Sequence, residues 1–266
     1  MTSIQKAAEN TVTAKAEKRT MQDYIKKMQG EIKKALPSVL TPERFTRIVL
    51  SALSTNPKLQ QTTPQSFLGA MMTAAQLGLE PNTPLGQAYL IPFKNKGVLE
   101  CQFQLGYKGL IDLAYRSGQI TVIQAHTVYA NDEFHYEFGL DPQLKHVPAK
   151  GDRGDPVYFY GIFKTKDGGF GFEVMSVDDV RRHAERFSQA YKSEYSPWKT
   201  NFEEMAKKTV LKKALKYAPL KTEFVRGVST DETVKTEISD DMFSVPNETI
   251  EVEGHDVDAS TGEVQK

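Results

Sequence analysis

Lys208, Lys212 and Lys216 recur every four residues, with Lys213 beside them. On an α-helix that spacing lines ammonium groups along one face. Lys199 and Lys207 extend the set toward the start of the segment, and residues 199–226 hold 8 basic against 3 acidic side chains. Arg181, Arg182 and Arg186 stand on the helical stretch before it. Positive charge gathered with few local partners is costly to hold together unless a polyanion completes it. A solvated lysine face is the other reading. A second basic element combines Lys94 and Lys96 at a hairpin tip with Gln102, Gln104, Tyr107, Lys108 and Arg116 just beyond. Cations that track phosphates, interleaved with rings and amides that take exposed bases, suit single-stranded nucleic acid. Tyr107 also reads as a core tyrosine, and Trp198, the only tryptophan, as a staple at the start of the last helix.

Other chemistries find less support. There is no GxxxxGK[ST] phosphate loop. Gly106-x-x-Gly109 and Gly168-Gly169-x-Gly171 sit at turns without the strand–loop–helix setting of a dinucleotide site. His126 and His135 could lie on neighbouring strands, but no third metal ligand accompanies them. The acid pairs Asp132-Glu133, Asp178-Asp179 and Glu203-Glu204 raise a two-metal nuclease. The last two pairs fall in first helical turns, where acids favour the dipole and the cap. No catalytic residue, metal ligand or cofactor is therefore assigned, with any effect of Mg²⁺ left open. The single Cys101 rules out an intrachain disulfide and suits a reducing compartment. No run approaches the ~18 apolar residues of a membrane span, and the N-terminus lacks a signal-peptide core. A cytoplasmic protein is expected.

The elements that must position these residues follow from periodicity. Residues 21–35 carry Tyr24, Ile25, Met28, Ile32 and Ala35 at helical spacing, stopped by Pro37. Thr41-Pro42 opens a second helix and Thr63-Pro64 a third, which ends at Gly78. The period then shortens to that of strands. Residues 87–93 and 98–105 form a hairpin over Asn95 and Gly97, and residues 106–117 a helix closed by Gly118. Strands are expected at 121–130 and 134–138, and a polar loop at 141–155. A second hairpin covers 157–166 and 170–175. Helices follow at 177–191 and 198–217, the latter with Ala206, Val210, Ala214 and Tyr217 toward the sheet. The fold class is α+β: N-terminal helices, an antiparallel sheet of about five strands with an inserted helix, then C-terminal helices.

With 34 basic and 34 acidic residues the chain is formally neutral, but residues 231–266 hold 11 acidic and 2 basic side chains. The preceding 230 residues are correspondingly net positive, and residues 181–226 alone hold 12 basic against 5 acidic. A basic body with an acidic end points to nucleic-acid binding. Three segments are expected: a flexible arm at 1–20, a core at 21–230, and an acidic disordered tail at 231–266. The tail reads as a competitor for the basic groove, as a recruiter of a basic partner, or as a solubilising extension.

Several stretches resemble the RecT family of phage recombinases: residues 64–67 (PQSF), 76–81 (QLGLEP), 84–93 (PLGQAYLIPF), 106–114 (GYKGLIDLA), 117–120 (SGQI), Pro197-Trp198 and 203–209 (EEMAKKT). They stand in family order across residues 30–227. The resemblance implies an ATP-independent single-strand DNA annealing protein of homologous recombination. It would be phage- or prophage-encoded and act in a bacterial cytoplasm as a ring or helical filament. Its partners would be single-stranded DNA, the annealed duplex, a phage 5′→3′ exonuclease and a host single-strand binding protein. The rival readings are a passive single-strand coat and a metal-dependent nuclease.

Overall fold

The structure, a computed structural model, describes residues 20–248 apart from residues 96, 189–190, 192–195, 232 and 236. The expected arm, bar Thr20, and the tail beyond 248 lie outside the described residues. The chain divides into two compact units, one of Met1–Leu105 with Ser229–Lys266, the other Gly106–Val228.

In the first unit Thr20 caps α1 (Met21–Lys27) in a reciprocal box with Asp23. The single helix expected over 21–35 is broken at Met28, whose backbone leaves helical geometry before α2 (Gln29–Ala35). Thr41 and Pro42 open α3 (Pro42–Thr55) as anticipated, and a 3-10 turn at Pro57–Gln61 leads to α4 (Pro64–Leu77). Helix α4 is apolar on nearly every side. Phe67, Leu68, Met71 and Met72 are fully buried, each contributing about 1.5–3 kcal/mol. Its N-terminus is welded to the hairpin β1 (Ala88–Asn95) and β2 (Val98–Leu105): Cys101 N–H donates to Ser66 Oγ at 2.8 Å, and Thr63 N–H to the Leu99 carbonyl at 3.0 Å. Its C-terminus ends on left-handed Gly78.

The other side of α4 is covered by a segment expected to be tail. In residues 233–248, Val234, Ile238, Met242 and Val245 are buried. Thr233 bridges to Phe103 on β2, and the Gln76 amide clasps the strap from both ends: Nε2 donates to the Asp240 carbonyl at 2.7 Å and Oε1 accepts from Met242 N–H at 3.0 Å. Lys235 is buried with its ammonium donating to the Val245 carbonyl at 2.5 Å. The strap runs so close to α4 that a Cβ on Gly69 would stand 2.9 Å from Lys235 Cβ. One apolar residue in about four was enough, because each meets the same all-apolar helix.

In the second unit, α5 (Tyr107–Tyr115) precedes β3 (Ile120–Tyr129), the hairpin β4 (Glu133–Glu137) and β5 (Gln143–Val147), then β6 (Pro156–Thr165) and β7 (Phe170–Ser176). Where one antiparallel sheet of about five strands was expected, the described residues form seven strands in three antiparallel sheets: β1-β2, β3-β6-β7 and β4-β5. Strand β5 lies inside the expected polar loop. Phe134 and Tyr136 of β4 pack their rings on Tyr158 and Tyr160 of β6, and Phe138 stacks on Phe172 at 5.2 Å. Helix α6 (Val177–Phe187) opens on a Ser176–Asp179 capping box. The last long helix is interrupted: α7 (Pro197–Thr200), then α8 (Phe202–Ala214), a 3-10 turn at Leu215–Tyr217, and α9 (Thr222–Ser229).

Helix α8 crosses β6 at Gly161, where an added Cβ would meet the Val210 carbonyl group and Leu211 nitrogen at 3.1 Å. Phe159, Met175, Val180, Ala184, Trp198, Ala206 and Val210 form the core around that crossing, so Trp198 is the staple it was read as. Tyr217, expected to pack on the sheet, is 86% exposed because the chain has already tightened into the 3-10 turn. Gly161→Val should force helix and strand apart and cost about 3 kcal/mol, the upper range for overpacking. Equilibrium urea unfolding of that variant measures it, and an unchanged midpoint would remove the close-approach argument.

Candidate nucleic-acid interface

The two basic stretches of unit 2 come together. Arg182 and Arg186 lie one turn apart on α6, and Lys213 faces them from α8. With Glu173, Met175, Asp179, His183 and Phe187 they line an open groove of about 510 Å³. Phe187 is exposed, with the His183 ring 4.7 Å and the Arg186 guanidinium 5.2 Å from its centroid. Burial lowers the pKa of His183, and the charges of Lys213 and Lys212 lower it further. A ring beside clustered cations is the pairing expected of a single-strand site. Phe187 and His183 were not singled out from sequence, though both share the i, i+4 face that carries Arg186.

The argument that these cations lack partners is corrected. Arg182 contacts Asp179 at 2.5 Å, Arg181 contacts Asp178 at 3.3 Å, Lys207 contacts Glu204 at 2.9 Å, Lys213 contacts Glu173 at 3.7 Å, and Arg116 is paired with Asp112. Exposed pairs of this kind contribute only ~0–1 kcal/mol, so a phosphate can replace the carboxylate at little cost. Arg181 turns from the groove toward the Phe202 ring.

The regular lysine face also breaks up. Lys208 is 5% exposed, buried as α8 packs down; Lys212 is half-buried, and Lys216 and Lys199 are exposed. Lys108 is exposed and Tyr107 half-buried at the start of α5. In unit 1, Lys94 is exposed at the end of β1 and Gln104 half-buried on β2, while Lys96 lies outside the described residues.

Lys207 opens onto a second cleft, about 470 Å³, lined also by Ala125, His126, Tyr129, His146, Arg153, Tyr160 and Glu203. Its back wall is built on Asp132, whose side chain is wholly buried. The Asp132 carboxylate accepts from Arg153 Nε at 3.0 Å and Nη2 at 2.6 Å, from His146 Nε2 at 2.9 Å, and from the Tyr129 and Ala149 N–H groups at 3.0 and 2.9 Å. The carboxylate can only accept, so His146 donates to it from Nε2, and its Nδ1 lies 3.1 Å from the Tyr160 hydroxyl. The Arg153 hydrogen bonds, helped by the two backbone amides and His146, hold Asp132 far below the usual carboxylate range against the effect of burial. Arg153 also lies over the Tyr129 ring at 4.2 Å. Glu203 accepts from the Thr127 hydroxyl at 3.0 Å and the Tyr129 hydroxyl at 3.4 Å. His126 meets Tyr160 and His146 rather than His135, which pairs with Glu137. Among the described residues no three His, Cys, Asp or Glu side chains are grouped to hold a metal ion, and no helix is long and apolar enough to cross a membrane.

Comparison with known proteins adds the following. Residues 43–246 match the RecT family, a span that takes in the strap over α4. Protein RecT of Escherichia coli (strain K12) is 39% identical over 236 residues, 86% of each chain. The uncharacterized protein YqaK of Bacillus subtilis (strain 168) is 32% identical over 197 residues, covering 73% of this chain and 66% of that protein.

Proposed function

This chain belongs to the RecT family of recombination and annealing proteins, and on that premise we propose that it binds single-stranded DNA along unit 2 and pairs it with a complementary strand without ATP. One observation carries the placement: cations from α6 and α8, separated by 27 residues between Arg186 and Lys213, converge on one groove with an exposed ring between them. Phosphates displace the weak carboxylate pairs and the bases stay outward, available to a second strand. Base pairing and stacking then drive the reaction, so no hydrolytic step is needed. Lys108, Lys199, Lys207, Lys212 and Lys216 extend the contact on unit 2. Lys94, Lys96 and Gln104 are the contribution proposed for unit 1, and neighbouring protomers repeat the groove in a ring or filament. An exonuclease that exposes the strand and a host single-strand binding protein are the proposed partners, with the acidic residues beyond 248 as a contact for one of them.

Mixing complementary oligonucleotides with the protein, without nucleotide, should speed duplex formation at least tenfold over the spontaneous rate. Binding that slows pairing would make the protein a passive coat. Shortening of the DNA in Mg²⁺ would make it a nuclease, although Asp179 is committed to a helix cap, Asp132 to Arg153, and Glu203 to two hydroxyls.

A further inference from the structure

Among the described residues strand β3 is an edge of its sheet, paired only with β6. Its odd-numbered residues turn their backbone groups outward. Ile123 N–H donates to the Tyr115 hydroxyl at 3.1 Å, the Thr127 carbonyl accepts from Arg153 at 3.4 Å, and Tyr129 N–H donates to Asp132. By the two-residue alternation of a strand, Ala125 faces the same way. No described residue hydrogen-bonds to its outward amide or carbonyl. The edge is therefore closed at the Ile123 amide and at the Thr127 carbonyl, and the short stretch left open between them is centred on Ala125, which lies in the wall of the 470 Å³ cleft. The gap is too short for an added peptide strand, which needs a run of such groups. Its size suits one small planar ligand.

The surrounding groups define that ligand. Ala125 offers a donor and an acceptor side by side. The His126 ring is exposed next to Tyr160, with centroids 5.2 Å apart. Lys207 and Arg153 stand at the rim, 24% and 35% exposed. All four bases carry an adjacent donor and acceptor on the edge used for pairing. We propose that this cleft takes one unpaired nucleobase of the bound strand, its pairing edge on the Ala125 amide and carbonyl, its face on His126 and its phosphate against Lys207 and Arg153. The base N–H donates to the Ala125 carbonyl, and the Ala125 N–H donates to the base acceptor. The grip is indifferent to sequence, and it withdraws one base from pairing while its neighbours remain available. The inference rests on the single-strand reading above.

The test compares a thymidine oligonucleotide with an equally long strand of abasic residues, on wild type, Ala125→Pro and His126→Ala. Pro removes the amide on a sheet edge that tolerates it; His126 is an exposed side chain whose loss leaves the fold intact. Wild type should favour the thymidine strand, and that preference should fall about tenfold in each variant while abasic-strand affinity and its salt slope persist. A preference unchanged in His126→Ala, or absent in wild type, overturns the site. If wild type binds neither strand, the single-strand reading fails and the base site falls with it. Thymidine monophosphate binding as tightly as the strand would assign the cleft to free nucleotides and overturn the strand proposal.

Discussion

Replacing Arg182, Arg186 and Lys213 together with alanine should weaken binding of a short single strand about 50-fold at about 0.15 M salt. The figure follows from counterion release, in which each phosphate contact on a single strand adds about 0.7 to the slope of log affinity against log salt. Three lost contacts flatten that slope by about 2, and at about 0.15 M the same exponent gives the affinity loss. Affinity and slope are thus tied to one count, and fluorescence anisotropy over a salt series measures both. Breaking the pairs with Asp179 and Glu173 costs the fold little, since both are surface contacts. Arg181→Ala is the internal control: it sits on the same helix but turns toward Phe202, and should lose far less. Equal losses from Arg181→Ala and from any one of the three would mean that general charge, not the groove, holds the strand.

Asp132→Asn should lower the melting temperature by on the order of 10 °C at neutral pH, because Arg153 and His146 lose their charged acceptor in a buried place. An amide nitrogen would also point at a donor and leave it unpaired. The pH dependence gives the sharper test. The native carboxyl titrates well below its unfolded value, so its contribution is fully present above about pH 4 and is lost as pH falls below that. The gap in melting temperature between wild type and Asp132→Asn should therefore narrow steadily below about pH 4. A gap independent of pH would show that shape, not charge, makes the anchor. Because β4 and β5 hang from this carboxylate, limited proteolysis between residues 133 and 147 should also quicken in the variant.

The elements that sequence reveals well are those with both a cap and a period. Thr41-Pro42 and Thr63-Pro64 start α3 and α4 where spacing and capping agree, and the two hairpins follow from Gly97 and Asp167-Gly168. Strand β5 escaped because its outward residues are Gln143 and Lys145 and its inward ones Leu144 and His146, too weak an alternation within a polar stretch. The strap escaped for a related reason: Val234, Ile238, Met242 and Val245 gain meaning only from α4, more than 150 residues earlier. Composition marks out the cations as a set, but which of them share a groove depends on how α8 crosses β6. That crossing buries Lys208 and turns Lys213 toward α6, and its cause is Gly161, a residue on another element. The cleft beside Ala125 was further from view, since its wall includes backbone groups that no side-chain pattern records.

The first unit is made from both ends of the described chain, with Phe103 bridged to Thr233 and Leu105 N–H donating to the Asp231 carboxylate at 2.8 Å. During synthesis, α4 therefore emerges long before the segment that covers it, and its apolar side stays bare until residue 245 has left the ribosome. All of unit 2 is translated in that interval. If unit 2 folds as it emerges, it replaces a floppy loop of more than 120 residues with a compact plug, easing the entropy of closing Leu105 onto Asp231. A slow step in maturation is then built into the order of translation, with the first helices made waiting on the last strap.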